Sequence, residues 1–141
     1  MSPKTLQAIF LRKGGEGSYT KVGNLIPSGL LPEDIAESDI LVSYFRDPDE
    51  WLAVANSEVI FKNAYTDGAI TRIKHSEIEM VRPLPFKVDL NINQELNNQL
   101  LFVKKKNGES FNIKVETGPA RNGLYQMLYS LADQTKEKGE G

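Results

Sequence analysis

From Ile40 onward the chain is a succession of short apolar runs broken by turn residues, and this texture predicts strands rather than helices. A first strand is predicted from Ile40 to Phe45 and a second from Trp51 to Ala55, joined across Arg46-Asp-Pro-Asp-Glu. Asn56-Ser57 then turns into Val59-Ile-Phe-Lys. Asp67-Gly68 precedes a strand over residues 69–74, in which one face alternates and should be buried. Pro83 and Pro85 mark an edge or a bend, after which Phe86, Val88, Leu90 and Ile92 alternate with polar residues as a half-buried strand would. The strongest hairpin signal is Leu100 to Lys106, Asn107-Gly108, then Phe111 to Val115, with Phe111, Ile113 and Val115 on one face.

The period changes only near the C-terminus. Pro119 suits a first helical turn, and Leu124, Met127, Leu128 and Leu131 follow at helical spacing, so residues 120–134 are predicted to form one amphipathic helix. Tyr125 and Tyr129 border its apolar stripe, and residues 137–141 form a charged, glycine-bearing tail expected to fray. At the other end, residues 1–30 read as an irregular extension. Gly14, Gly15 and Gly17 oppose a fixed helix or strand and suggest a mobile loop. Pro32 with Glu33 and Asp34 predicts a short helix that ends before Asp39.

Composition narrows the functional classes. The chain has 141 residues, so one domain is expected, covering residues 31–136. It has no cysteine, which excludes a disulfide scaffold, a thiol nucleophile and a thiolate zinc site. No apolar run approaches the ~20 residues that span a bilayer. Met1-Ser-Pro-Lys lacks the apolar segment of a secretory signal, so a cytoplasmic location is expected. The net charge is only −2, but residues 32–50 carry seven acids against Arg46, while Lys104, Lys105, Lys106 and Lys114 face only Glu109. A pI of about 5.5 disfavours nucleic acid as a partner.

Candidate chemistry is sparse. Asp47-Pro-Asp-Glu resembles the start of a calcium loop, but Trp51 and Leu52 occupy its fifth and sixth positions, where a ligand and a glycine are required. The glycine-rich segment lacks the Gly-Lys-Ser/Thr of a phosphate loop. His75 is the single histidine, which rules out a histidine-rich metal site, and no nucleophile elbow accompanies it. No catalytic residue, metal ligand or cofactor site is therefore assigned. Asp47, Asp49, Glu50 and Trp51 are the candidate partner-binding residues, as an aromatic with a charged rim. Lys104, Lys105 and Lys106 are a candidate anion patch, or a solvated strand edge protected by its lysines.

About seven strands followed by one amphipathic helix is the order of the pleckstrin-homology-like (PH-like) barrel. The stretches Leu31-Pro-Glu-Asp-Ile-Ala-Glu-Ser-Asp-Ile-Leu, Trp51-Leu-Ala-Val-Ala-Asn-Ser-Glu-Val-Ile-Phe and Ile73-Lys-His-Ser-Glu-Ile-Glu-Met-Val resemble bacterial PH-like domains over about residues 30–135. Ala55 and Glu58 depart from that pattern, where the family often has Thr and a basic residue. The resemblance implies a mainly β, α+β fold: a barrel of two near-orthogonal sheets closed by the C-terminal helix. Lipid-binding members of the wider superfamily use a basic loop between the first two strands; here that loop is acidic, so a phosphoinositide partner is disfavoured.

The resulting expectation is a non-enzymatic binding or scaffold module acting through protein contacts or self-association. A groove or sheet edge beside the C-terminal helix would accept the partner, and the acidic region would steer a basic one. The alternatives are an immunity-type inhibitor of a basic toxin, and a small-ligand binder or enzyme using the barrel mouth near His75.

Overall fold

A computed structural model describes residues 2–83 and 99–139. Among the described residues, eight strands and two helices follow one another: α1 (Pro3–Lys13), β1 (Thr20–Val22), β2 (Ile40–Asp47), β3 (Glu50–Ala55), β4 (Glu58–Lys62), β5 (Thr71–Lys74), β6 (Ile78–Pro83), β7 (Leu100–Lys105), β8 (Ser110–Lys114) and α2 (Pro119–Gly139). The strands form two antiparallel sheets, β1-β2-β3-β4-β5 and β6-β7-β8, so the fold is mainly β with one C-terminal helix. The sheets are not closed into a barrel. The strand expected over Phe86 to Ile92 lies outside the described residues. No helix among the described residues is long and apolar enough to cross a membrane.

The larger sheet is buried on both faces, which explains why its strands read as continuous apolar runs. Along β3, Leu52 and Val54 enter the main core while Trp51, Ala53 and Ala55 join a second cluster on the opposite face. In β4, Val59 and Phe61 face the main core and Ile60 the second cluster. The main core also takes Ile78 and Val81 of β6, Leu101 and Val103 of β7, Ile113 of β8, Val115 and the stripe of α2. Phe61 meets Phe111 edge-to-face at 5.9 Å, which joins the packing of the two sheets.

Hairpin β7–β8 forms as the Asn107-Gly108 signal predicts, with Gly108 at φ 95° and the Asn107 side chain accepting from the Glu109 amide at 2.9 Å. Asp67 and Gly68 both adopt positive φ, but they close a longer loop containing a 3₁₀ turn, Ala64–Thr66. In β5 it is Ile73 that is buried, whereas Ile70 is 43% exposed.

The N-terminal third differs most from expectation. Residues 3–13 form a helix, capped by the Ser2 hydroxyl with Pro3 in the first turn, and Leu6, Ile9 and Phe10 bury one stripe. The glycine-rich segment is a packed crossing rather than a mobile loop. A Cβ on Gly14 would lie 1.8 Å from the Pro119 carbonyl oxygen, and one on Gly123 would lie 2.8 Å from that of Phe10. Glycine at both positions is what lets α1 lie against α2. The Glu116 carboxylate then fixes the chain beyond the crossing, accepting from Ser18 N (2.8 Å), Tyr19 N (2.9 Å) and Thr20 Oγ1 (2.8 Å).

The helix expected at Pro32 is instead a turn, closed by Ile35 N to Pro32 O at 3.0 Å, and then a 3₁₀ turn, Glu37–Asp39. Residues 23–36 serve as a strap across the outer sheet face, where Ile26 and Leu31 cover Trp51 and Ile60. Arg72 of β5 latches the strap through both Asp34 oxygens, at 2.9 and 2.7 Å. The C-terminal helix runs on to Gly139, beyond the expected end near Gln134, through Lys136, Glu137 and Lys138, which have good helix propensity.

Candidate functional site

The four residues of the acidic turn do not share a surface. Strand alternation puts Glu50 on the face of β3 that carries Leu52 and Val54, and Trp51 on the face under the strap. Glu50 therefore turns inward, 3.0 Å from Lys114 Nζ of β8, and accepts a hydrogen bond from the Tyr44 hydroxyl. Burial, reinforced by the bond to Glu50, pushes the Tyr44 hydroxyl pKa well up, so it remains a proton donor. Trp51 is 1% exposed and its indole N–H has no hydrogen-bond partner among the described residues. Asp47 and Asp49 stay outside: Asp47 accepts from the Asp49 amide at 2.8 Å, and Asp49 lies 3.3 Å from Lys62. The picture of one aromatic-and-acid patch is thus corrected by side-chain parity.

The lysine run is largely neutralised locally. Lys105 lies 3.2 Å from Glu77 and 3.6 Å from Glu109, and Lys104 lies 3.8 Å from Glu79. Glu77 holds the Lys105 pKa up, while the Lys74 amide, followed by Lys105, holds the Glu77 carboxyl down. Lys106 is exposed.

His75 opens a 3₁₀ turn, His75–Glu77, that bridges the two sheets, and its amide donates to Ser57 O at 3.0 Å. Burial lowers its pKa, against the opposing effect of the Glu58 and Ala55 backbone. Its Nε2 is buried without a hydrogen-bond partner among the described residues. The nearby Glu58 carboxylate is held by Arg72 at 2.5 and 3.0 Å. No described carboxylate hydrogen-bonds the ring, and His75 lines none of the three clefts described next.

Two of these clefts share Tyr125 and form a trough along one side of α2. One, of about 300 Å³, lies between Met80 and Arg82 of β6 and Tyr125, Tyr129 and Asp133 of α2. The other, of about 480 Å³, continues past Pro83, Gln99 and Thr117 to Gly118 and Asn122. Among the described residues, β6 pairs with β7. Tyr125 and Tyr129 stand 5.9 Å apart beside β6, and Tyr129 is 48% exposed. Sequence reasoning placed the tyrosines at the border of the helix stripe but could not see that β6 lies next to them. The third cleft, of about 410 Å³, lies where the β2–β3 hairpin meets the end of β8, lined by Tyr19, Arg46, Asp47, Glu50, Lys114 and Glu116 among others.

No family model, curated protein or solved structure matches the chain.

Proposed function

We propose that the chain is a non-enzymatic binding module with PH-like architecture, which captures an extended segment of a protein partner in the trough between β6 and α2. The observation that carries this reading is the tyrosine-lined trough between β6 and α2, with Tyr129 48% exposed. Tyrosines supply contact area at low entropic cost. From residue 119 to residue 133 the helix rises roughly 21 Å at ~1.5 Å per residue. That length matches about six or seven extended residues.

Glu79 and Asp133 at one end of the trough favour a basic residue on the partner. Glu33, Glu37, Asp47 and Asp49, all exposed, add a negative field that steers such a partner in. The ionisable groups best placed for chemistry, Glu50, Lys114 and Glu58, are already paired with protein groups, which suits recognition better than proton transfer.

The test is selection from a displayed library of random peptides on the whole protein. The reading predicts an enriched consensus with a basic position, whose affinity falls at least tenfold in Tyr129→Ala and weakens in Asp133→Arg. Absence of any enriched sequence, or binding indifferent to both substitutions, would overturn it.

A further inference from the structure

The third cleft suggests a second site on a different face. Most of its charges are satisfied internally: Glu50 by Lys114 and Tyr44, and Glu116 by two amides and the Thr20 hydroxyl. Arg46 is the exception. Its guanidinium lies over the Tyr19 ring, 4.5 Å from the centroid, and it makes no ion pair with a described carboxylate. Stacking holds the guanidinium plane while leaving its in-plane N–H groups available, and those are the donors that grip a carboxylate with two parallel bonds.

The same cleft contains three carboxylates, Asp47, Glu50 and Glu116, against two cations, Arg46 and Lys114. A phosphate or another purely anionic ligand would meet a net negative lining. A ligand carrying its own cation beside the carboxylate would not, because Asp47 and Glu116 can receive it. The volume, about 410 Å³, falls in the usual range for small-molecule sites.

We propose that this cleft binds a free α-amino acid, its carboxylate on Arg46 and its ammonium facing Asp47 and Glu116. The site goes beyond the trough reading and shares only Gln99 and Thr117 with its lining.

The test is amide chemical-shift titration of the whole protein with each of the twenty common amino acids, to on the order of 10 mM, a range that reveals millimolar binding. At least one should give saturable shifts at Tyr19, Arg46 and Thr117. Binding should weaken at least tenfold for the N-acetyl and the carboxamide forms of that amino acid, and likewise in Arg46→Gln. Arg46 is exposed, so this variant should keep its fold; Asp47→Asn, also at an exposed residue, should weaken binding as a second check. No saturable shift with any amino acid would overturn the proposal. Equal binding of the N-acetyl form would also overturn it in favour of a chain terminus, as would tighter binding of inorganic phosphate. Because Tyr129 is not part of this cleft, Tyr129→Ala should leave the titration unchanged, which separates failure here from failure of the trough.

Discussion

Gly123→Ala tests the helix crossing through the sign of its effect. On an isolated helix, replacing an interior glycine by alanine stabilises by about 1 kcal/mol. Here the added methyl would lie 2.8 Å from the Phe10 carbonyl oxygen, 2.9 Å from Phe10 Cδ1 and 3.0 Å from the Gly15 amide nitrogen. Two of those neighbours are backbone, and Phe10 is fully buried, so none can swing aside as a surface side chain would. Relief requires α1 to lift by roughly half an ångström or more, at a cost of about 2–3 kcal/mol for overpacking. Set against the propensity gain, the net loss is about 1–2 kcal/mol, or a fall of roughly 3–6 °C in Tm for a chain of this size. Thermal and urea denaturation followed by circular dichroism would measure it. An unchanged or more stable protein would refute the docked α1 and the reading of Gly14 and Gly123 as a packed crossing.

Three further outcomes follow from the same geometry. Asp47→Lys with Asp49→Lys should leave stability within about 1 kcal/mol, since both side chains are exposed, whereas Glu50→Lys should cost about 3 kcal/mol or more by setting a second cation against Lys114 beneath Tyr44; urea midpoints would compare them. Trp51 is the single tryptophan and lies under the strap, so native emission should be blue-shifted and resist iodide quenching, and Arg72→Ala, which unlatches Asp34, should raise the quenching. His75 has a lowered pKa in the fold, so its neutral form is favoured there and its contribution is present above the ordinary value of 6.5 and lost as pH falls through it; urea midpoints between pH 7.5 and 5 should fall less steeply in His75→Gln. Asp34, held down chiefly by Arg72, acts lower, its contribution lost only as pH falls below about 3.8.

The strands were legible because their determinants are local. The β7–β8 turn needs positive φ at Gly108, and the runs Trp51 to Ala55 and Val59 to Phe61 are apolar at every position, as strands covered on both faces must be. Helix α1 was hidden because only Leu6, Ile9 and Phe10 mark its stripe, and an isolated helix of this length is marginal in water without a partner such as α2. Its available signal was Ser2-Pro3, a cap followed by a first-turn proline. The glycine-rich segment misled for a related reason: glycine permits flexibility in a free chain, yet here it permits close backbone approach, and composition does not separate the two.

The candidate site was less legible. Alternation alone could have turned Glu50 inward with Leu52, but only the fold brings Lys114 to meet it. The trough depends on α2 lying beside β6, distant in sequence, and no local pattern encodes that juxtaposition.

The central claim is that an extended partner segment lies in the trough between β6 and α2. Intermolecular nuclear Overhauser contacts in a complex with a selected peptide, isotope-labelled on the protein side, measure this most directly. The account predicts contacts between the peptide and residues 79–82, contacts to the Tyr125 and Tyr129 rings, and shifted amides along β6. Peptide contacts confined to the β2–β3 turn or to Lys104, Lys105 and Lys106, with the β6 amides and both tyrosines unaffected, would contradict it.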